Sequence, residues 1–156
     1  MSKKSGVNKK NLLFALFVLL LIVDQISKEL VTFWVPPSSS IPLIGKFVYL
    51  TPVKNKGLIM GFFSNSVYLA VFLPILVMMV FIFFSLLKLR KKGNLGIVFI
   101  ISGATGNLLD RVFRGGVIDF IDIRFWPIFN LGDIFITSGT VLLCLDLIFH
   151  RKKCTE

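Results

Sequence analysis

Between residues 67 and 87 the chain carries no charged side chain. A helix of about 20 such residues crosses the hydrocarbon core of a bilayer. Residues 93–109 form a second charge-free run. Residues 134–145 form a third, which reaches 149 with one interruption at Asp146. Residues 12–23 form a fourth, which continues through polar positions to 35. A bilayer offers no water to bond backbone polar groups, so segments of this kind span it as helices. The expected fold is therefore an all-α integral membrane protein, one membrane domain over residues 1–156. Its four transmembrane helices lie at about 11–35, 67–89, 94–112 and 132–149, with extracytoplasmic loops at about 36–66 and 113–131. A chain of 156 residues could form a soluble domain, but a 55% hydrophobic content with 17 Phe excludes that reading.

The net charge of +10 raises the question of nucleic acid. Its distribution answers against it. Lys3, Lys4, Lys9 and Lys10 precede the first helix; Lys88, Arg90, Lys91 and Lys92 separate the second and third; Arg151, Lys152 and Lys153 follow the fourth. In a four-pass chain these segments share one side, which the positive-inside rule makes cytoplasmic. Both termini are then inside, and anionic headgroups of membrane lipids are the natural partners of the basic clusters. The basic, apolar N-terminus resembles a secretory signal. No small-residue cleavage site follows, and Asp24, Lys28 and Glu29 interrupt the stretch, so it reads as an uncleaved helix. Cys144 and Cys154 sit in the last helix and the cytoplasmic tail, and neither is given a role.

Pro36, Pro37 and three serines end the first helix and open the first outward loop. The strand formers at 47–51, interrupted by Pro52, and the turn signal Asn55-Lys56-Gly57 predict a short hairpin or small sheet. With the apolar residues 58–63 after it, such a loop favours lying on the membrane. Pro74 predicts a kink in the second helix.

Ionisable side chains inside membrane segments are costly, and each needs a reason. Counting about 1.5 Å per residue, Asp24 lies roughly 18 Å and Lys28 roughly 24 Å along the first helix, and Asp110 roughly 22 Å along the third. Asp133 opens the fourth helix from the outer side. Polar chemistry thus concentrates at one level, whereas a channel needs it at every depth. Asp24 and Lys28 share one helix face at i+4, which predicts an ion pair. Gly103, Asn107, Asp110 and Arg111 also share a face. Close helix packing explains the small residues around Gly103 and Gly106, but not the polar ones beside them, which mark a site. Asn130 and Asp133 have the spacing of a helix cap and its reciprocal acid. Asp119, between Ile118 and Phe120, reads alone as an ordinary loop acid.

Taken in order, Asp24-Gln25-Ile26-Ser27-Lys28, Asn55-Lys56-Gly57, the run from Gly103 through Asn107 to Asp110 and Arg111, Val117-Ile118-Asp119-Phe120 and Asn130-Leu131-Gly132-Asp133 resemble the lipoprotein signal peptidase family. The resemblance covers nearly the whole chain and rests on the ordered set. It implies an aspartic endopeptidase, signal peptidase II, with Asp119 and Asp133 as the catalytic pair. It implies that Asn107, Arg111 and Asn130 support the site, that Asn55 and Gly57 lie near substrate, and that Asp24, Lys28, Gly103 and Asp110 are site positions too. The implied substrate is a prolipoprotein whose lipobox Cys carries diacylglycerol, cut just before that Cys. The implied setting is the bacterial cytoplasmic membrane, with the active site on the outer side and the protein a monomer. Two positions depart from the family pattern: Leu58 follows Gly57, and Gly132 precedes Asp133, where Ala is usual.

Two carboxylates sharing a proton can hydrolyse a peptide bond: one takes a proton from water, the other polarises the carbonyl. Asp133, at a helix start, is the expected base and Asp119 the expected acid. No metal or cofactor is expected, since the outward region supplies no His or Cys and the single His150 lies at the cytoplasmic end. Two alternatives use the same acids: a phosphotransferase holding Mg²⁺ on Asp110, Asp119 and Asp133, and a small transporter or proton-relay subunit.

Overall fold

The structure is a computed structural model and describes residues 8–56 and 95–151. The expected helix at 67–89 with its Pro74 kink, Gly57 and Leu58, the basic cluster before residue 93, and the tail with Cys154 lie outside the described residues.

Helix α1 spans Lys9–Trp34. Asn8 caps it, its side-chain oxygen accepting from the Lys10 N–H at 3.1 Å. It ends where Val35 turns extended ahead of Pro36, which cannot continue a helix. Strands β1 (Ile41–Ile44) and β2 (Val48–Asn55) follow as an antiparallel hairpin. The turn between them uses Gly45 at φ +52°, a left-handed conformation that glycine adopts at little cost. Strand β2 runs through Pro52, and the pairing register shifts between Leu50 and Val53, an irregularity of the kind a proline requires.

Helix α2 spans Leu95–Leu109 and runs directly into a π-helical turn, Asp110–Arg114. Gly115, at φ +68°, closes the turn by donating its N–H to the Asp110 carbonyl. Leu95–Arg114 is, among the described residues, the one stretch long and apolar enough to cross a membrane by length and composition. Strand β3 (Val117–Asp122) then pairs with β2, so the sheet has the order β1-β2-β3. Helix α3 spans Leu131–Arg151.

The segment read from sequence as the loop 113–131 therefore contains a sheet strand, and Asp119 is a strand residue opposite Val53. Its partner strand comes from the other loop, and local periodicity carries no sign of so distant a pairing.

Helices α2 and α3 meet backbone to backbone. A Cβ on Gly103 would run into the Gly132 carbonyl, and one on Gly139 would come within 2.5 Å of the Gly96 carbonyl. The side chains are distributed opposite to those of a water-soluble domain. The five largest fully buried side chains among the described residues are Lys28, Asn130, Asp24, Asp110 and Ser102, all polar. Leu12, Phe14, Leu19, Phe33 and Trp34 face outward, each more than half exposed. A polar interior under an apolar coat suits a hydrocarbon surround.

Candidate active site

The site lies where the end of α2, the start of α3 and the strand pair β2–β3 converge. Asp119 projects from β3. Its Oδ2 accepts from the Asn55 amide at 3.0 Å, and its Oδ1 from the Asn130 amide at 2.6 Å. Asp133 lies in the first turn of α3. Its Oδ1 accepts from the Asn107 amide at 2.8 Å and its Oδ2 from the Asn130 N–H at 3.2 Å. Asn130 Oδ1 in turn accepts the Asp133 N–H at 3.0 Å, which completes a reciprocal helix cap. Asn130 thus ties the two carboxylates together. Its side-chain NH₂ holds Asp119, and its backbone and carbonyl oxygen hold Asp133.

The strand and the helix explain why these residue types stand here. A carboxylate in the first turn of a helix meets unpaired N–H groups and the positive end of the dipole. On the strand, Asp119 has no such help and is 5% exposed. Burial raises its pKa to about 6, against the opposing hydrogen bonds from Asn55 and Asn130; the nearby Asp133 charge adds to the rise, and Lys28 lowers it.

Behind the pair lies a cluster of buried charges. Lys28 Nζ is 2.7 Å from Asp24 Oδ2 and 2.8 Å from Asp110 Oδ2, and donates to Asn107 Oδ1 at 3.0 Å. Asp110 also meets Arg114 at 3.3 Å, and Arg114 reaches Glu29 of α1 at 2.6 Å. Arg111 donates to the Asn107 carbonyl at 3.2 Å. Among the described residues no buried side-chain polar atom lacks a partner. Asn107 and Asp110, expected on one helical face, both meet Lys28 of α1, although the helix becomes π-helical at Asp110; Asn107 also reaches Asp133.

Asn55, Asn107, Asp119, Asn130 and Asp133, which the family resemblance implies at one site, lie together through these hydrogen bonds; Gly57 lies outside the described residues. Gln25 was not singled out. Its amide donates to Asp24 at 3.1 Å and to the Gly106 carbonyl at 3.2 Å, and so ties α1 to α2. Its place beside Asp24 and three residues before Lys28 is the available signal. Asp122 belongs elsewhere, bonded to Thr51 at 3.1 Å and paired with Arg124 at 3.4 Å. At Gly132, an added Cβ would lie 3.0–3.1 Å from side-chain oxygens of Asn130, Asn107 and Asp24. Alanine there would require a few tenths of an ångström of adjustment around the site.

A family model described as signal peptidase (SPase) II matches residues 16–149. The chain belongs to the signal peptidase II family. This is a family of aspartic endopeptidases. Its members include the lipoprotein signal peptidase of Clostridioides difficile (strain 630), 38% identical over 146 residues, spanning 91% of this chain and 99% of that protein. The lipoprotein signal peptidase of Moorella thermoacetica is also 38% identical, over 85% of this chain and 90% of its own length. A solved structure described as a bacterial membrane enzyme, determined by the in meso method, superposes with a TM-score of 0.81 at 26% identity, covering 98% of this chain and 95% of that one. A second of the same description gives 0.74 over 88% and 92%.

Proposed function

We propose that this signal peptidase II family member removes signal peptides from diacylglyceryl-modified bacterial prolipoproteins, cutting the bond before the lipidated Cys with Asp119, Asp133 and a water molecule. The observation that carries the reading is the Asn130 bridge. It joins a strand carboxylate and a helix-start carboxylate at one place, each held by a second amide, Asn55 or Asn107. The water lies between the two acids. Asp133 takes its proton as the oxygen attacks the scissile carbonyl. Asp119, raised toward neutrality by burial, gives its proton to that carbonyl; as the adduct collapses, Asp133 passes its proton to the departing Cys nitrogen, the C–N bond breaks, and Asp119 takes a proton back from the gem-diol. The pair titrates jointly, so these are roles within one shared-proton state.

Family membership supports the substrate class, and the polar interior supports a membrane setting. The full arrangement we propose has four transmembrane helices, both termini cytoplasmic, and the site at the outer face of the bacterial cytoplasmic membrane. It acts as a monomer among lipids. Phe33, Trp34, Phe47, Phe113, Phe125 and Trp126 are exposed, as an interfacial aromatic belt requires. A lipid-anchored substrate then presents its Cys at a fixed depth. The magnesium phosphotransferase reading is disfavoured because Asp110 is committed to Lys28 and Arg114. The deciding assay is purified protein with a diacylglyceryl lipobox peptide, with and without a chelator. A single cut before the Cys, unaffected by chelation, supports the reading; activity lost to the chelator and restored by Mg²⁺ refutes it.

The pH profile offers a separate check. Asp119 must be protonated to act as the acid, so kcat/KM is expected to fall as pH rises through the upper titration of the free-enzyme pair. The Asn55 amide donates to the charged form of Asp119 and lowers its pKa. Asn55→Ala should therefore move the alkaline limb to higher pH while reducing the maximal rate. A limb that moves to lower pH would contradict the acid role.

A further inference from the structure

Resting on the dyad reading above, we infer that Lys28 is a positioning residue that sets the geometry of both aspartates at once. Its ammonium has three N–H donors and three buried partners: Asp24, Asp110 and Asn107. Each partner passes the constraint on to the pair. Asp24 uses its other oxygen to accept the Gly132 N–H at 2.8 Å, one residue before Asp133. Asp110 accepts the Ile118 N–H at 3.3 Å, one residue before Asp119. Asn107, with its carbonyl oxygen committed to Lys28, has its NH₂ aimed at Asp133, where it donates at 2.8 Å.

The two backbone contacts are symmetric. A carboxylate grips the N–H of the residue before each candidate catalytic residue, and one cation on α1 fixes both carboxylates. A simple ion pair between Asp24 and Lys28 would neutralise charge in the bundle without touching either peptide. The contact to Asn107 adds a choice of orientation. Rotating that amide by 180° would set its NH₂ against the ammonium and its oxygen against Asp133, and both contacts would be lost. Lys28 touches neither carboxylate of the pair. Its removal loosens three supports of the reacting groups and leaves the substrate-facing surface as it was.

The test uses two full-length variants assayed in detergent on a diacylglyceryl lipobox peptide, with kcat counted per folded molecule. Lys28→Met removes the ammonium and keeps most of the stem. It also leaves Asp24 and Asp110 buried without their shared cation, which lowers folding yield. Lys28→Met combined with Asp24→Asn removes one charge of each sign. The replacement amide keeps an acceptor for the Gly132 N–H, and Asp110 keeps Arg114. In both variants kcat is expected to fall about 100-fold, the scale of a small displacement of reacting groups. KM should stay within about threefold, because the lost contacts act on the chemical step. Wild-type kcat in the folded fraction of the charge-balanced variant overturns the inference and leaves Lys28 as a neutralising partner. A rise in KM that accounts for the whole loss overturns it as well. Asp119→Asn and Asp133→Asn are assayed beside them: if these still cleave, the dyad reading fails; if only the Lys28 variants cleave normally, the positioning role alone fails.

Discussion

Asp119→Asn and Asp133→Asn are each expected to reduce kcat by about a thousandfold or more, the range of a lost acid or base. Asparagine has nearly the shape of aspartate and can keep the hydrogen bonds to Asn55 and Asn130 or to Asn107 in part, but it cannot exchange a proton with water or with the carbonyl. The double variant should be no slower than the slower single one, because the two groups act as a unit. Substrate binding should persist, since the lipid and the peptide backbone provide most of it. Asp122→Asn is the control, for Asp122 serves Thr51 and Arg124. Steady-state and single-turnover cleavage with a parallel binding measurement decide the matter. Near-normal kcat in either dyad variant would remove that residue from the chemistry.

Asn130→Asp should be the next most damaging change. The Asn130 amide is a donor 2.6 Å from Asp119. Aspartate would place a third carboxylate there and compete for the proton that Asp119 must hold, since like charges so close cannot both ionise. A loss in kcat of about 100-fold or more is expected. Asn130→Ala separates the electrostatic effect from the structural one. It removes the cap of α3, at about 1 kcal/mol of stability, without adding charge. The account expects Asn130→Asp to be clearly slower than Asn130→Ala at equal folded content. Equal rates would mean that a charge added at residue 130 does not act on the pair.

Much of the site was legible because buried charge in an apolar chain is conspicuous. Asp24, Lys28 and Asp110 could be recognised as exceptional from their surroundings, and the i+4 spacing of the first two gave their contact. The Asn130–Asp133 cap was legible for the same reason, as a local pattern at a helix start. Asp119 was not. Alone it is one acid in a connecting segment, and only the order of motifs along the chain drew attention to it. What makes it special is its strand's pairing with β2 and its burial, both products of contacts far apart in sequence. The π-helical turn escaped for a related reason. Local spacing does not reveal it, and Asp110 still meets Lys28 beside Asn107, on the face that i+3 spacing assigns. Gln25 was visible only as part of a motif, since its partners, the Gly106 carbonyl and Asp24, lie on two different helices.

The central claim is that Asp119 and Asp133 act on water and that neither attacks the peptide. A single turnover in ¹⁸O-labelled water, with protein in excess over lipidated peptide, tests it directly by mass spectrometry of the released signal peptide. Hydrolysis by an activated water puts one ¹⁸O into the new C-terminal carboxylate of every product molecule in that first turnover. Attack by an aspartate would form an acyl-enzyme anhydride, and water opening it at the aspartyl carbonyl would release a product carrying an unlabelled oxygen from the protein. Full single incorporation is expected; first-turnover product without ¹⁸O would mean that an aspartate attacks the peptide.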